Sequence, residues 1–442
     1  MLSESMEVFI REHEEEALEL LRTIARIPAP SNHEEKRAEF CSRWLKEQGA
    51  EGVYIDEALN VVWPAVIREK NGLEVYMAHT DVVFPDEEEL PLKEEGDRIF
   101  CPGIGDDTAC LVCLLLGAKY LAEAIREGRL EEVYPSDRPG LLFVCNSGEE
   151  GLGNLKGVRN ICEDYAGRIT AFCTFDSQLD KIVDQAVGSK RFKVTVRTKG
   201  GHSFNDFGRE NAIERLAGII GALYRIQIPK QGKTTFNVGQ IQGGTSVNTI
   251  AQEAHMLYEF RSDRREHLDY MQDQFDKVIE QARAQGMEIE TEVLGIRPCS
   301  GSIDPERQRT LLERACMAAA QVTGQRPQTG SGSTDCNIPM SLGIPSVCVG
   351  CYRGKGAHTR EEYIEKSSIS EGMKVVFGMR MVPGGFFVAV FTDPEYKRGS
   401  RNDRMVQQIR GRGFKGAFLL PPGADRCRGP FQAGKIWGKC SI

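Results

Sequence analysis

The sequence predicts an α/β protein interrupted by a smaller α+β module. Three observations carry this reading. Short apolar runs alternate with stretches of helical periodicity through the first 186 residues, the pattern of strands and helices layered on one sheet. Acidic residues or a histidine follow directly after several of those runs. At Gly188 the pattern changes to half-exposed alternation, and the α/β pattern resumes only after residue 300.

Taken in order, Met6, Phe9, Ile10, Leu18, Leu21 and Ile24 fall at helical spacing, and Ile27-Pro28-Ala29-Pro30 ends that helix. Ser31 or Asn32 is placed to cap a second helix that Gly49 ends. Residues 53–55 and 60–67 read as strands, and residues 73–83 as a buried strand closing on His79-Thr80-Asp81. Residues i and i+2 of a strand share a face. His79 and Asp81 are therefore presented together, either as a metal ligand with its orienting carboxylate or as a proton-transfer pair. A glycine-rich turn, Gly103-Ile104-Gly105, then delivers Asp106 and Asp107 to an apolar helix that Asp107 or Thr108 can cap. Two further apolar strands end just before Glu149-Glu150 and Asp176.

Residues 187–300 follow the order strand, helix, two strands, helix, strand, that of a ferredoxin-like module. Gly200-Gly201-His202-Ser203 forms a turn after its first strand. Beyond it come a helix, a glycine- and serine-rich loop, a strand, a loop bearing His358 and a final helix. The domains expected are thus 1–186 with 301–382, an insert at 187–300, and a tail at 383–442. The tail is basic, rich in Gly and Pro and without periodicity, and disorder is expected there.

Composition narrows the function classes. The chain has 442 residues, enough for two or three domains, and a net charge of −8. Residues 391–442 hold 11 Lys and Arg against 4 Asp and Glu, so the body is strongly acidic, which does not suggest nucleic-acid binding. No uninterrupted apolar run approaches about 18 residues, so no transmembrane helix is expected. The acidic, amphipathic N-terminus does not resemble a signal peptide, and a cytoplasmic location is expected. The 14 cysteines are scattered, mostly in apolar company. The pairs Cys110/Cys113 and Cys348/Cys351 lie too far apart for a zinc ribbon and read as reduced core thiols.

The loops after the strands offer His79, Asp106, Glu149 with Glu150, and Asp176; a later loop offers His358. Two imidazoles and three carboxylates suit a pair of zinc ions. One carboxylate can bridge ions about 3.5–4 Å apart, and one is left over as a general base. Taken singly, each feature is more often a surface or capping residue. Five of them at strand ends and glycine-rich turns are hard to obtain by accident. The glycines at 151, 153 and 157 are misspaced for a dinucleotide loop, and no phosphate-binding loop occurs.

The ordered series His79-Thr80-Asp81, Gly105-Asp106-Asp107, Ser147-Gly148-Glu149-Glu150, Phe175-Asp176 and Gly356-Ala357-His358-Thr359 resembles the di-zinc metallopeptidase family. That family includes peptidase T, bacterial glutamate carboxypeptidase, acetylornithine deacetylase and succinyl-diaminopimelate desuccinylase. The likeness runs over about residues 5–380. It implies a zinc-exopeptidase-like catalytic domain with a central, mostly parallel sheet, and a lid or dimerisation domain formed by the insert. It implies two Zn²⁺ per chain, with Co²⁺ or Mn²⁺ as substitutes. Asp106 would bridge the metals, His79 and Asp176 would complete one site, and Glu150 and His358 the other. Asp81 would orient His79, and Glu149 would serve as general base and then acid. His202 of the partner subunit would help to hold the oxyanion, while Asn248 and Arg261 would contact substrate. The expected activity is hydrolysis of an amide bond in a short peptide, by a homodimer paired through the lid. The alternatives are an N-acyl amino acid deacylase or a non-catalytic binding protein on the same fold.

Overall fold

The structure is a computed structural model, and it describes residues 2–68 and 71–381. The expected tail, 383–442, lies outside the described residues. The central sheet has eight strands in the order Tyr54–Ile55, Val61–Val66, Gly140–Asn146, Leu73–His79, Ile169–Phe175, Ser346–Val349, Lys181–Ala186, Gln328–Gly332. The sheet is mixed. The His79 strand runs parallel to both its neighbours, and Ile169–Phe175 runs parallel to Ser346–Val349. The pairings of Val61–Val66 with Gly140–Asn146 and of Ser346–Val349 with Lys181–Ala186 are antiparallel.

All seven residues of Leu73–His79 are buried, as a strand covered on both faces requires. Its side chains alternate between two cores. Tyr76 and Ala78 pack with the helices Glu4–Glu12, Glu14–Arg26, Cys110–Arg126 and Ser368–Met381, whereas Val75 and Met77 pack with Leu155, Val158 and Ile161. Because the inner strands are parallel, their C-terminal ends lie along one edge. That edge is where α/β sheets place their ligands, and here it carries the segments that follow His79, Asn146, Phe175 and Val349.

The helical stretch Ile104–Arg126 is long and apolar enough by composition to cross a membrane, although it holds no uninterrupted apolar run of about 18 residues. Of its most apolar window, 89% is buried inside the protein, as in the core helix of a soluble domain. The twelve cysteines among the described residues are all buried and free.

The insert forms a separate antiparallel sheet in the order Thr234–Gly243, Glu253–Ser262, Gly188–Arg197, Glu288–Arg297. This is the second, third, first and fourth strand of the module. The helices Ala212–Leu223 and Arg265–Ala284 cover one face through Phe192, Val194, Met256, Phe260, Met271 and Phe275. On the opposite face, Ser189 lies across from both Arg261 and Arg297, and Arg191 lies across from Glu259.

Several local expectations are corrected. The first helix breaks at His13 into Glu4–Glu12 and Glu14–Arg26. Neither Ser31 nor Asn32 caps Glu35–Glu47; the Ser31 hydroxyl instead donates to Asp81 Oδ2 at 2.6 Å. Cys110–Arg126 has no side-chain cap. Thr108 donates its hydroxyl back to the Gly103 carbonyl at 2.6 Å, and Asp107 turns toward His79. Strands Lys181–Ala186 and Gln328–Gly332 are additions to the expected set. The second lies at the sheet edge, largely exposed and built of Gly, Ser, Thr and Gln, so it carries no apolar alternation to read.

Candidate metal centre

The site is assembled from segments that leave the C-terminal edge of the sheet. His79 ends its strand fully buried. Its main-chain N–H donates to Asp107 Oδ2 at 3.0 Å, and its Nε2 lies 3.1 Å from Asp106 Oδ1. Asp106 Oδ2 lies 3.1 Å from His358 Nε2, which is also 3.0 Å from Glu150 Oε1. Asp106 therefore offers one oxygen to each histidine, the arrangement expected of a bridging carboxylate. Ligand atoms of Asp106, Glu150 and His358 lie within 4.8 Å of one another, as do those of His79, Asp107 and Asp176, and those of His79, Glu149 and Glu150.

Asp81 relates to His79 differently from the sequence expectation. His79 Nδ1 lies 3.0 Å from the Asp81 main-chain carbonyl and 3.5 Å from its carboxylate. The nearer carbonyl is the acceptor. The carboxylate is occupied elsewhere: it accepts the backbone N–H of Glu149 at 3.0 Å, that of Glu150 at 2.9 Å, and the Ser31 hydroxyl. Asp81 thus fixes the His79 ring with its main chain and the Glu149–Glu150 loop with its side chain.

The electrostatics are those of a cluster that wants a cation. Burial pushes the Asp176 carboxyl up to about 7, with nearby Asp106 adding to the rise. Burial likewise raises Asp107 and Glu149 well above the usual carboxylate range. For His79 burial alone would lower the imidazole, but Asp107, Asp106 and Asp81 outweigh it and hold it well above the usual range. Hydrogen bonds to Asp106 and Glu150 raise His358 to about 11. Buried like charges are tolerated only with compensation. Asp107 Oδ1 is buried without a hydrogen-bond partner among the described residues. Imidazole nitrogens, converging carboxylates and this orphaned oxygen together fit a pair of divalent ions.

Three expected residues stand apart from this cluster. His202, Asn248 and Arg261 belong to the insert, and their described contacts stay within it. His202 is exposed. Its main-chain N–H donates to Asp206 Oδ2 at 2.8 Å, and the backbone N–H groups of Phe204 and Asn205 point to its Nδ1 at 3.3 and 3.4 Å. With Nδ1 accepting, the ring hydrogen sits on Nε2. Asn248 accepts the backbone N–H of Ser203 through its main-chain carbonyl at 3.0 Å, which joins the two turns. Arg261 is held bidentately by Glu259, with both bonds at 3.0 Å.

Several supports escape sequence reasoning. Glu362 accepts the backbone N–H groups of Gly103, Gly105 and Asp106 at 2.7, 2.9 and 2.8 Å and so shapes the Asp106 turn. Gly103, at φ 74°, sits in the left-handed region, and a Cβ there would meet Val82 at 2.3 Å. Arg37 is fully buried and donates to the carbonyls of Ile27 and Thr80. Asp335, in the glycine- and serine-rich loop, accepts from Asn146 Nδ2 at 2.7 Å, and burial pushes its carboxyl up to about 7. Arg297, the last residue of the insert's final strand, reaches Glu149. Glu362, Arg37, Asp335 and Arg297 all act on partners distant in sequence.

Comparison with known proteins matches this architecture. The M20 peptidase dimerisation domain matches residues 185–287, which takes in all of the inserted module but its last strand. A solved tripeptidase from Staphylococcus aureus superposes with a TM-score of 0.64 at 22% identity, covering 83% of this chain and 97% of that one. This chain has the M20 metallopeptidase fold and carries the M20 dimerisation domain. The YXEP protein of Bacillus subtilis, described as a dinuclear metal-binding M20 peptidase, shares the M20 fold at a TM-score of 0.58 and 18% identity, covering 84% and 98% of the two chains. Among curated sequences, the uncharacterized protein YqjE of Bacillus subtilis is 25% identical over 76% of this chain and 90% of its own length. A putative succinyl-diaminopimelate desuccinylase of Mycobacterium tuberculosis is 24% identical over 81% of this chain and 96% of its own. The family suggested by the five sequence motifs is therefore matched by fold and by the inserted domain. At the C-terminal edge of the central sheet this chain gathers His79, Asp106, Glu149, Glu150, Asp176 and His358.

Proposed function

We propose that this chain is a metal-dependent hydrolase that cleaves an amide bond of a short peptide, with Glu149 as general base. The observation that carries the proposal is Asp106 standing between His79 and His358, with Glu149, Glu150 and Asp176 around it. Asp106 would be shared by two ions, read here as Zn²⁺. His79 and Asp176, with Asp107 close by, would hold one, and Glu150 and His358 the other. Such a pair, when bound, polarises an amide carbonyl and brings the pKa of a shared water near neutrality. Glu149 would take the water proton and return it to the leaving amine. In a homodimer paired through the insert, His202 of the partner subunit would present its Nε2–H to the developing oxyanion. Asn248 and Arg261 would contact substrate, and Arg261, which Glu259 now holds, could grip a substrate carboxylate bidentately in exchange for that partner.

A second reading, an N-acyl amino acid deacylase, is favoured by the desuccinylase-like relative. The deciding experiment is metal analysis of the purified protein with a panel of di- and tripeptides set against N-acetyl and N-succinyl amino acids. Two metals per chain with chelator-sensitive peptide cleavage supports the first reading. Cleavage of acyl substrates alone moves it to the second. Two metals and no hydrolysis of either class would leave a binding protein.

A further inference from the structure

Arg297 is the terminal residue of the insert's last strand, yet it is 4% exposed and belongs to the site. Its Nη1 donates to Glu149 Oε1 at 3.0 Å and to Ser333 Oγ at 3.2 Å, and its Nη2 donates to the Glu149 main-chain carbonyl. One guanidinium thus grips both the side chain and the backbone of a single glutamate. In the insert sheet Arg297 lies opposite Ser189, at the start of the strand by which the chain enters the module. The arginine stands where the insert leaves the catalytic body, and Glu149 stands at the end of the central sheet.

We infer that Arg297 is a positioning residue for Glu149, and that it ties the general base to the lid sheet. The inference rests on the proposed hydrolase. A carboxylate on a free side chain samples several rotamers, and a base must stand within hydrogen-bond reach of the proton it removes. The Nη2 bond fixes the glutamate's backbone while the Nη1 bond to Oε1 selects its rotamer, leaving the carboxylate beside His79 and Glu150. Ser333 braces the guanidinium from the catalytic side. A shift of the lid sheet relative to the catalytic body would move the base with it.

Arg297→Lys and Arg297→Met test this on the metal-loaded enzyme. Lysine keeps the charge and can reach one acceptor, but cannot span both. The expected result is a kcat lowered by about 10- to 100-fold in both variants, with KM within about twofold and metal content unchanged. Guanidinium added to Arg297→Met should restore part of the lost turnover, which a purely structural defect would not allow. If Arg297→Met fails to fold, Arg297→Lys decides by the same readings. Wild-type kcat in the variants, or a loss explained wholly by lost metal or raised KM, would overturn the inference. A crystal structure of Arg297→Lys gives a readout independent of turnover: Glu149 should leave its place beside His79. A carboxylate that stays there overturns the inference even if the hydrolase reading itself has failed.

Discussion

The backbone N–H of Glu149 donates to Asp81 Oδ1 at 3.0 Å, fastening the Glu149–Glu150 loop to the segment that also carries His79. With the Glu150 N–H and the Ser31 hydroxyl on the same carboxylate, Asp81 holds three hydrogen bonds in a fully buried place. Burial alone would raise this carboxyl, but His79 and its donors hold it below the usual range. An asparagine keeps one acceptor oxygen and turns a donor toward a backbone N–H. Asp81→Asn should therefore weaken metal binding by about 10- to 100-fold while the fold survives. Metal titration of the stripped protein, with circular dichroism as the fold control, checks this. Wild-type affinity would remove Asp81 from the support of the site.

Asp106 is the shared member of the cluster. Asp106→Ala should abolish stable binding of both metals, whereas His358→Ala should leave one ion, held on the His79 side. Elemental analysis after dialysis distinguishes them. An Asp106→Ala protein that keeps two metals would show that no single carboxylate links the two halves.

Glu149 is assigned proton transfer rather than ligation. Glu149→Gln keeps its size and its Arg297 contact but cannot accept the water proton. Its kcat should fall by at least about 100-fold, with both metals retained. Turnover near wild type would transfer the proton work to another carboxylate, and Asp335 is the next to examine.

The residues of the site are unequally visible in the sequence. His79, Asp81, Asp106, Glu149, Glu150, Asp176 and His358 are legible because each follows an apolar run or a glycine-rich turn, and burial and chain direction place them at one edge. Asp107 reads as a helix cap, since a carboxylate before an apolar helix fits that pattern equally well. Its turn toward His79 depends on Glu362, which sits more than 250 residues away and gathers the backbone N–H groups of the turn. Arg37, Asp335 and Arg297 stay hidden for the same reason: their partners are distant in sequence, and nothing local marks a polar side chain as buried. The half-exposed alternation of residues 190–198 announces the insert, while the Gly- and Ser-rich strand Gln328–Gly332 carries no such signal.

The histidines also set a pH dependence. Both are held above the ordinary histidine range in the metal-free protein, His358 at about 11, so both carry a proton at pH 7. A metal requires the neutral ring, and loading at pH 7 should release a proton from each histidine. Affinity should then fall as pH falls. Calorimetry in buffers of different ionisation enthalpy measures that release, and buffer-independent heats would contradict it. The stability of the metal-free protein shifts in the other direction. A raised folded-state pKa gives stabilisation that is complete below about pH 6.5 and is lost as pH rises through about 11. Metal-free wild type should therefore lose melting temperature across that window, and His358→Gln should lose less.

His202 supplies the last test, because it is exposed on the insert and its described hydrogen bonds stay within it. Its Nδ1 faces the backbone N–H groups of Phe204 and Asn205, which leaves Nε2–H to donate outward. An outward donor on a dimerisation domain is useful to a second copy. His202→Ala and Glu149→Ala should each be nearly inactive alone, with metals intact. When the two variants are unfolded and refolded together, mixed dimers combine the His202→Ala chain's intact Glu149 with the other chain's intact His202. Turnover should reappear in the mixture and not in either parent treated alone. A mixture as inactive as its parents, with mixed dimers demonstrated by native mass spectrometry, would mean that His202 does not serve the neighbouring site.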